Sequence, residues 1–320
     1  MSQVVVISGH PDLASSHTNT VILEELQNKV DNIEIRRLDT LYPDYQIDVE
    51  AEQAALLKAD VIVLQFPFYW YSVPALMKKW LDDVLSYNFA YGSKGDKLKG
   101  KELITSFTIG GPEESYDPLG YNHFTIEQLI LPLQQTAYLA GMRFNKPVYT
   151  HRMVYIPGVY NELEEVQDRA KQHAHRVADL VTELTESPAK IIEKFVTNWF
   201  KQLDGLPAET NSYEPHLAER FVMNMPEGTF KGVEGFRDWY GQARETFKPN
   251  CQHIVEQIEV KPNGDFFQVG LRVRLQAETF THSTFEGQTI NLLVNETWQV
   301  KLDAQSGVKL HHYVVEPVQG

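Results

Sequence analysis

Continuous apolar runs alternate with helical periodicity through the first half of the chain. The runs at residues 4–7 and 61–66 are apolar almost without a break, which is typical of strands buried on both faces. Val21, Ile22, Leu26 and Val30 repeat at helical spacing between two such runs. The pattern predicts strands at 4–7, 33–38, 61–66, 103–109 and about 144–149, and helices at 18–30, 49–58, 74–85, 124–140 and 162–184.

This alternation predicts an α/β domain with a five-stranded parallel sheet that is covered on both faces. Right-handed connections place the carboxyl ends of all five strands along one edge of the sheet, where α/β proteins bind their ligands. The loops at 10–19, 67–74 and 110–123 follow strands one, three and four, and each has an unusual composition. We therefore expect the functional site at this edge.

The pattern changes at Ser187-Pro188. Helices are predicted at 190–203 and 232–247, followed by strands at 251–260, 266–276, 290–302 and 308–315. In "VGLRVRL", which begins at Val269, apolar and polar positions alternate, as in a sheet with one buried face. The sequence thus predicts a first domain at residues 1–186 and a separate α+β domain with an antiparallel sheet at residues 189–320.

Composition narrows the class of protein. A net charge of -14 argues against a nucleic-acid-binding face and against an anionic membrane surface. The single cysteine, Cys251, excludes an intramolecular disulfide framework and cysteine-rich metal sites, and no other metal-ligand spacing is present. The segment "MSQVVVISGHPD" has neither the charge nor the length of a signal peptide or a membrane span, so we expect a cytoplasmic protein without membrane insertion.

The first loop, "SGHPDLASSHTNT", joins a strand to the beginning of a helix. Free backbone N–H groups and the helix dipole attract an anion at such a place, and Ser16, Thr18 and Asn19 add polar side chains. Simple capping of the helix by Ser16 or Thr18 explains the same residues equally well. The chain has no G-x-x-x-x-G-K and no G-x-G-x-x-G motif, so neither a nucleoside triphosphatase nor a Rossmann dinucleotide site is indicated.

The second loop, "PFYWYS", places four aromatic residues in a row, Phe68 to Tyr71. Flat side chains beside an anion site suit a planar ring system, whereas four consecutive residues cannot all face one core. This favours a ligand or a subunit interface over a core cluster.

In the third loop, "TIGGPEESYDPLGYNH", the pair Gly110-Gly111 at the strand end lets the backbone approach a ligand closely. Tyr116 and His123 are candidates to polarise an oxygen atom or to relay a proton, although a lone Tyr or His in a loop is more often solvent-facing.

Together the segments "SGHPDLASSHTN", "AEQAALLKADVIVLQFPFYWYSVPALMKKWLDDVLSYNFAYG" and "LKGKELITSFTIGGPEESY" resemble the flavodoxin-like NAD(P)H:quinone reductases. The resemblance covers about residues 3–180. It is closest to the branch of the ancillary oxidoreductases of glutathione-regulated potassium efflux systems. It implies a flavin cofactor, FMN rather than FAD for so compact a domain, with NAD(P)H as electron donor and a quinone as acceptor.

The resemblance also assigns residues. It implies that the flavin phosphate and ribityl end are held by His10, Ser16, His17, Thr18 and Asn19. The flat ring would lie along Pro67, Phe68, Tyr69, Trp70 and Tyr71, and its polar edge would meet Thr108, Ile109, Gly110 and Gly111. Tyr116 matches the family's catalytic Tyr; Asn122 stands in the slot of its His, and His123 is one residue beyond it. Family members are commonly homodimers, and residues 86–92, "SYNFAYG", would lie near their interface.

Residues 189–317 resemble the SnoaL-like, nuclear-transport-factor-like domains, on "GTFKGVEGFRDWYGQARETF", the strand order and the closing "VKLHHYVVEPV". Such domains have a curled sheet around a pocket and often dimerise.

Three hypotheses follow from these observations. The first is a flavin-dependent NAD(P)H:quinone oxidoreductase in which donor and acceptor use one site in turn, a ping-pong scheme. The second is a redox-sensing regulatory subunit that binds a partner such as a transporter. The third is a bifunctional protein whose second domain binds or converts a small hydrophobic molecule.

Overall fold

A computed structural model describes residues 3–304 and 306–318 of the chain. These residues divide into two compact units, one that ends at Thr185 and one that begins at Glu186. Among the described residues, no helix combines the length and the apolar character needed to cross a bilayer.

The first unit has a single sheet in which all strands run parallel. The strand order is β2-β1-β3-β4-β5, and β6 also pairs with β4. Its elements are β1 (Val4–Ser8), α1 (Asn19–Lys29), β2 (Ile33–Arg37), α2 (Leu38–Leu41), α3 (Val49–Lys58), β3 (Val61–Pro67), α4 (Ala75–Val84), β4 (Glu102–Thr108), α5 (Ile126–Leu129), α6 (Leu131–Leu139), β5 (Arg143–Phe144), β6 (Val148–Thr150) and α7 (Leu163–Glu186). This confirms the predicted parallel α/β fold.

The sheet is buried because helices cover both of its faces. Every residue of β1, β3 and β4 is buried, which explains why these strands appear in the sequence as continuous apolar runs. One face packs against apolar residues of α1 and α7, and the other against those of α3, α4 and α6.

Two predicted elements of this unit are interrupted by proline. The predicted helix at 124–140 is two helices, α5 and α6, because Pro132 lies in the first turn of the second one, where its missing N–H costs no hydrogen bond. The predicted fifth strand is the pair β5 and β6. Pro147 precedes β6 directly and has no N–H to donate to β4.

The second unit is a six-stranded sheet of order β8-β7-β12-β11-β10-β9 with two helices. Its elements are α8 (Pro188–Gly205), β7 (Leu217–Met225), β8 (Gly228–Lys231), α9 (Gly232–Thr246), β9 (Gln252–Asn263), β10 (Phe266–Glu278), β11 (Thr289–Asp303) and β12 (Gly307–Pro317). The prediction of a purely antiparallel sheet was wrong, because β7 pairs parallel to β12. β7 and β8 were not predicted at all.

Aromatic side chains fill the core of the second unit. Trp298 on β11 contacts Trp199 and Phe200 on α8, with ring centroids 6.1 and 5.5 Å apart. It also packs against Tyr313 of β12 at 4.7 Å, and its own side chain is fully buried. The helices and one face of the curved sheet therefore enclose a densely packed aromatic core, in agreement with the predicted α+β class.

Candidate functional site

A cleft of about 280 Å³ opens at the carboxyl ends of β1, β3 and β4. This is the edge at which sheets of this strand order bind ligands, because the chain leaves β1 and β3 toward opposite faces and a crevice opens between them. The cleft is lined by His10, Ser15, Ser16, His17, Thr18, Asn19, Pro67, Phe68, Tyr69, Thr108, Gly110, Met153, Val154 and Tyr155.

Hydroxyl and amide groups meet where α1 begins. The Ser16 hydroxyl oxygen accepts the backbone N–H of Asn19 at 2.9 Å. The Asn19 side-chain N–H group donates to the Thr108 hydroxyl oxygen at 3.1 Å. Thr18, at the N-cap of α1, makes no side-chain capping bond, so capping does not explain its hydroxyl. The beginning of α1 and these polar groups together form a cradle suited to an anion.

His10 adds a hydrogen-bond donor to the same cleft. Its Nδ1 atom accepts the backbone N–H of Asp12 at 3.2 Å. Burial lowers the pKa of His10, with Asp12 and Asp39 opposing the shift, so the ring is neutral. A neutral ring that accepts at Nδ1 carries its proton on Nε2, which leaves an N–H donor on the other side of the ring.

The aromatic loop splits into two parts. Phe68 and Tyr69 line the cleft, and the Phe68 N–H donates to the Thr108 carbonyl at 2.8 Å. Trp70 and Tyr71 form the tip of a tight turn closed by the Ser72 N–H to the Tyr69 carbonyl, with φ values of 48° and 61°. Bulky residues in the left-handed region are strained, which marks this turn as a constrained feature of the site.

Trp70 and Tyr71 do not line the cleft. Trp70 is 92% exposed, and the Tyr71 hydroxyl donates to Asn122 Oδ1 at 3.0 Å.

Ile109 and Gly111 of the third loop are also outside the cleft lining. The Ile109 N–H donates to the Thr150 carbonyl at 2.9 Å, which continues the sheet. The Gly111 carbonyl accepts the Arg152 N–H and lies 3.2 Å from His151 Nδ1. Only Thr108 and Gly110 of this predicted set reach the cleft.

Tyr116 lies against Gly111 and next to a histidine that the sequence pattern did not single out. Its ring centroid is 5.3 Å from that of His151, and burial raises the pKa of Tyr116 and lowers the pKa of His151. His123 is exposed, with φ of 61°, and its backbone N–H bonds to the Gly120 carbonyl. The structure therefore brings His151, and not His123, into contact with Tyr116.

Residues after β6 complete the cleft: Met153, Val154 and Tyr155, with Tyr155 packed edge-on to His17 at 5.3 Å. These residues and His151 follow the fifth strand of the predicted parallel sheet, so the rule that selected the other three loops applied to them as well. The composition of this segment is ordinary, so there was no second reason to select it.

The second unit contains a carboxylate–imidazole pair that sequence spacing does not reveal. His253 Nδ1 lies 2.6 Å from Asp204 Oδ1, and the His253 backbone N–H bonds to the same oxygen. Phe200 stacks on the imidazole ring at 5.0 Å. The pair joins the end of α8 to the beginning of β9 beside packed aromatic residues.

Comparison with known proteins places the first unit in a family. Residues 2–177 match the family described as having a flavodoxin-like fold, and the chain belongs to that family. The resemblance predicted from the three loops is therefore confirmed for the first half of the chain.

The individual relatives are bacterial proteins. The chain is 41% identical to general stress protein 14 of Bacillus subtilis over 175 residues, which cover 55% of this chain and 97% of the relative. It is 40% identical to a glutathione-regulated potassium-efflux system ancillary protein of Klebsiella aerogenes over 176 residues, 55% of this chain and 95% of the relative. It is 36% identical to an uncharacterized NAD(P)H oxidoreductase, YdeQ of Bacillus subtilis, over 204 residues, 64% of this chain and 96% of the relative.

One solved relative contains a flavin. General stress protein 14 of Treponema denticola, in complex with FMN, superposes with a TM-score of 0.52 at 28% identity, covering 57% of this chain and 99% of that chain.

Proposed function

We propose that the chain is an FMN-dependent oxidoreductase that transfers two electrons from NAD(P)H to a quinone or a related acceptor. The observation that carries the proposal is the cleft at the carboxyl edge of the sheet, in which a polar cradle and two aromatic residues adjoin. The match to a flavodoxin-like family, relatives named as NAD(P)H oxidoreductases and a relative with bound FMN support it.

The residues present fit a flavin phosphate. The Ser16 and Thr108 hydroxyl oxygens each accept a bond from Asn19, so their own protons are left to donate into the cleft, and His10 adds an N–H donor. Donors without an acceptor partner at the beginning of α1 suit an anion. Phe68 and Tyr69 would lie along the flat ring, and its edge would meet Gly110, which also lines the cleft. A Cβ at Gly110 would lie 3.0 Å from Val154 Cγ2, so a glycine fits this crowded position.

When bound, FMN supplies the two-electron chemistry, and the protein supplies binding, orientation and proton donors. Tyr116 is proposed as the donor to the acceptor's oxygen because its ring packs against Gly111, next to Gly110 of the cleft lining. Burial raises the pKa of Tyr116, so its phenol is protonated at neutral pH. His123 of the same loop is the second proposed proton donor. Donor and acceptor are proposed to occupy this cleft in turn, since both would have to reach the same flavin ring beside Phe68 and Tyr69.

The test is direct. The purified chain should be yellow, release FMN on denaturation, and oxidise NADH or NADPH with a quinone, giving parallel double-reciprocal lines. Tyr116→Phe should lower kcat by about a hundredfold or more, the usual scale for loss of a proton donor. His123→Asn, at an exposed position, should have the smaller effect. If refolding with FMN and with FAD gives no bound flavin, the proposal fails.

We further propose that the first unit forms a homodimer. Tyr87, Tyr91, Leu131, Tyr138 and Leu139 are large apolar side chains that are each 42–66% exposed. Two of them, Tyr91 and Leu139, line a groove of about 350 Å³ between α4 and α6. Large apolar side chains that are exposed together are typical of an interface. Leu139→Glu should give a monomer in light scattering, and Leu57→Glu, at a similarly exposed leucine on α3, should not.

A second candidate is a redox-sensing subunit of a membrane transporter, which the similarity to the potassium-efflux ancillary protein favours. Negligible turnover at saturating NAD(P)H, together with capture of a transporter from membranes by the holoprotein, would replace the enzymatic proposal with this one.

A further inference from the structure

A chain of buried polar side chains runs beneath the cleft from α7 to α1. His173 is fully buried, with Nε2 2.8 Å from the Ser106 hydroxyl oxygen and Nδ1 2.8 Å from the Thr150 hydroxyl oxygen. The chain continues from Ser106 to Gln65 at 2.5 Å and from Gln65 Nε2 to Asn19 Oδ1 at 2.9 Å. Asn19 Nδ2 then bonds to Thr108, which lines the cleft.

In this series of hydrogen bonds each side chain donates to the next one, in the direction from Thr150 toward Thr108. Arg176, which has only donors, bonds to the Thr150 hydroxyl oxygen at 2.6 Å, and the Thr150 proton remains available for His173 Nδ1. The tautomer of the ring is fixed on its other side: Ser106 gives its proton to Gln65 Oε1, so the neutral ring carries its proton on Nε2 and donates it to Ser106. Burial lowers the pKa of His173 to about 3, in keeping with a neutral ring.

Ser106 fixes the direction of the hydrogen bonds on the side of the cleft. Its single proton goes to Gln65 Oε1, so it accepts from His173 and cannot donate to it. Gln65 must then present its N–H group to Asn19, and Asn19 must present its own N–H group to Thr108. At the end of the chain the Thr108 hydroxyl oxygen is occupied as an acceptor and its proton is free to point into the cleft.

We propose that His173 is a positioning residue of the anion cradle: through Ser106 and Gln65 it fixes the amide of Asn19, and thereby directs the hydroxyl proton of Thr108 toward the phosphate of the ligand. This inference rests on the proposed flavin function. The inference adds one point to that function: a buried residue outside the cleft lining sets the preference for a flavin with a phosphate over one without.

Removing one member of this series of hydrogen bonds removes the fixed order of its donors and acceptors. Without Ser106, Gln65 has no partner that holds its Oε1, and the Asn19 amide is free to turn its oxygen toward Thr108. The Thr108 proton then bonds to Asn19 and no longer faces the cleft. A phosphate should lose one charge-assisted hydrogen bond, whereas riboflavin, which lacks the phosphate, should lose little.

The experiment compares the dissociation constants of FMN and riboflavin for the full-length protein by flavin fluorescence. In Ser106→Ala, which deletes one oxygen atom, and in His173→Leu, the preference for FMN should fall about tenfold, equivalent to about 1.4 kcal/mol. His173→Gln, which retains an N–H donor toward Ser106, should restore most of it. Val177→Ala, one turn further along α7 and fully buried, is the matched control: it should lower the free energy of unfolding without changing the preference.

The outcomes separate the two proposals. If wild type binds neither flavin, the proposed function fails. If wild type prefers FMN and Ser106→Ala keeps that preference unchanged, whatever its stability, the positioning role of His173 is wrong. Ser106→Ala keeps the test decisive if His173→Leu does not fold.

Discussion

The two units bury ionisable side chains in different ways. Beneath the cleft of the first unit, His173 has a hydrogen-bond partner on each ring nitrogen and belongs to a chain that ends at polar groups lining an opening. In the second unit, Glu296 lies beside Trp298 and Tyr313 and accepts the Trp298 N–H at 2.9 Å. The first arrangement is proposed to direct donors toward a ligand, whereas the second places one carboxyl group among aromatic side chains.

The difference has a consequence for stability, because the two groups respond to pH in opposite directions. A base whose pKa is lowered by folding destabilises the native state in acid, and an acid whose pKa is raised by folding destabilises it above its usual pKa. Each unit should therefore have its own pH range of greatest stability.

The largest expected effect is acid sensitivity of the first unit. His173 has a pKa of about 3 in the folded protein against 6.5 for an ordinary histidine. Between these values the unfolded chain binds a proton that the folded protein does not, so the free energy of unfolding should fall by about 1.4 kcal/mol per pH unit below 6.5, up to about 5 kcal/mol. Denaturant titrations from pH 7 to pH 4, followed by hydrogen exchange in α7, would measure this. His173→Leu should flatten the slope; an equal slope in both proteins contradicts the prediction.

Next in size is Trp298→Ala in the second unit. The side chain is fully buried and contacts rings from α8 and β12, so its loss should cost about 3–5 kcal/mol of that unit's free energy of unfolding. The FMN dissociation constant should not change if the cleft belongs to the first unit alone. Trp70→Ala, at a side chain that is 92% exposed, is the control and should change stability by less than about 0.5 kcal/mol.

Glu296 should show the opposite pH dependence to His173. Burial raises its pKa to about 7, with the Trp298 and Tyr313 side chains opposing the shift. The stabilisation is complete below pH 4.5 and is lost as the pH rises to about 7, a change of about 3 kcal/mol. Unfolding of the second unit, measured at pH 4.5 and pH 8, should lose this difference in Glu296→Gln. The same change at exposed Glu316 should leave the difference intact.

The smallest expected effect concerns the cleft itself. Thr108→Val keeps the shape of the side chain and removes the hydroxyl group that accepts from Asn19. FMN should bind about tenfold more weakly, the scale of one charge-assisted hydrogen bond. Thr297→Val, on an exposed strand position of the second unit, should bind FMN as wild type does. Unchanged binding in Thr108→Val would remove that hydroxyl from the cradle.

Much of the fold was predictable because local pattern and burial agree in the first unit. Unbroken apolar runs gave β1, β3 and β4 within a residue or two, and helix α3 was predicted at its observed limits. The breaks in the predicted helix at Pro132 and in the predicted fifth strand at Pro147 were not predicted. They depend on which backbone N–H groups the fold uses as hydrogen-bond donors. β7 was missed because its parallel pairing with β12, a strand nearly one hundred residues later, leaves no local mark.

The candidate site also has features that the sequence pattern predicts and features that it does not. The sequence by itself determined which loops carry unusual side chains and, through the order of strands and helices, that these loops share one edge of the sheet. Only the tertiary structure decided which of those side chains line the cleft, that Trp70 and Tyr71 are not among them, and that His151 lies beside Tyr116. It also joined Asn19, Gln65, Ser106 and His173, which lie on four different elements. The physical reason is that side-chain direction and hydrogen-bond partners across elements depend on distances between segments far apart in the chain, and periodicity within a segment carries no information about them.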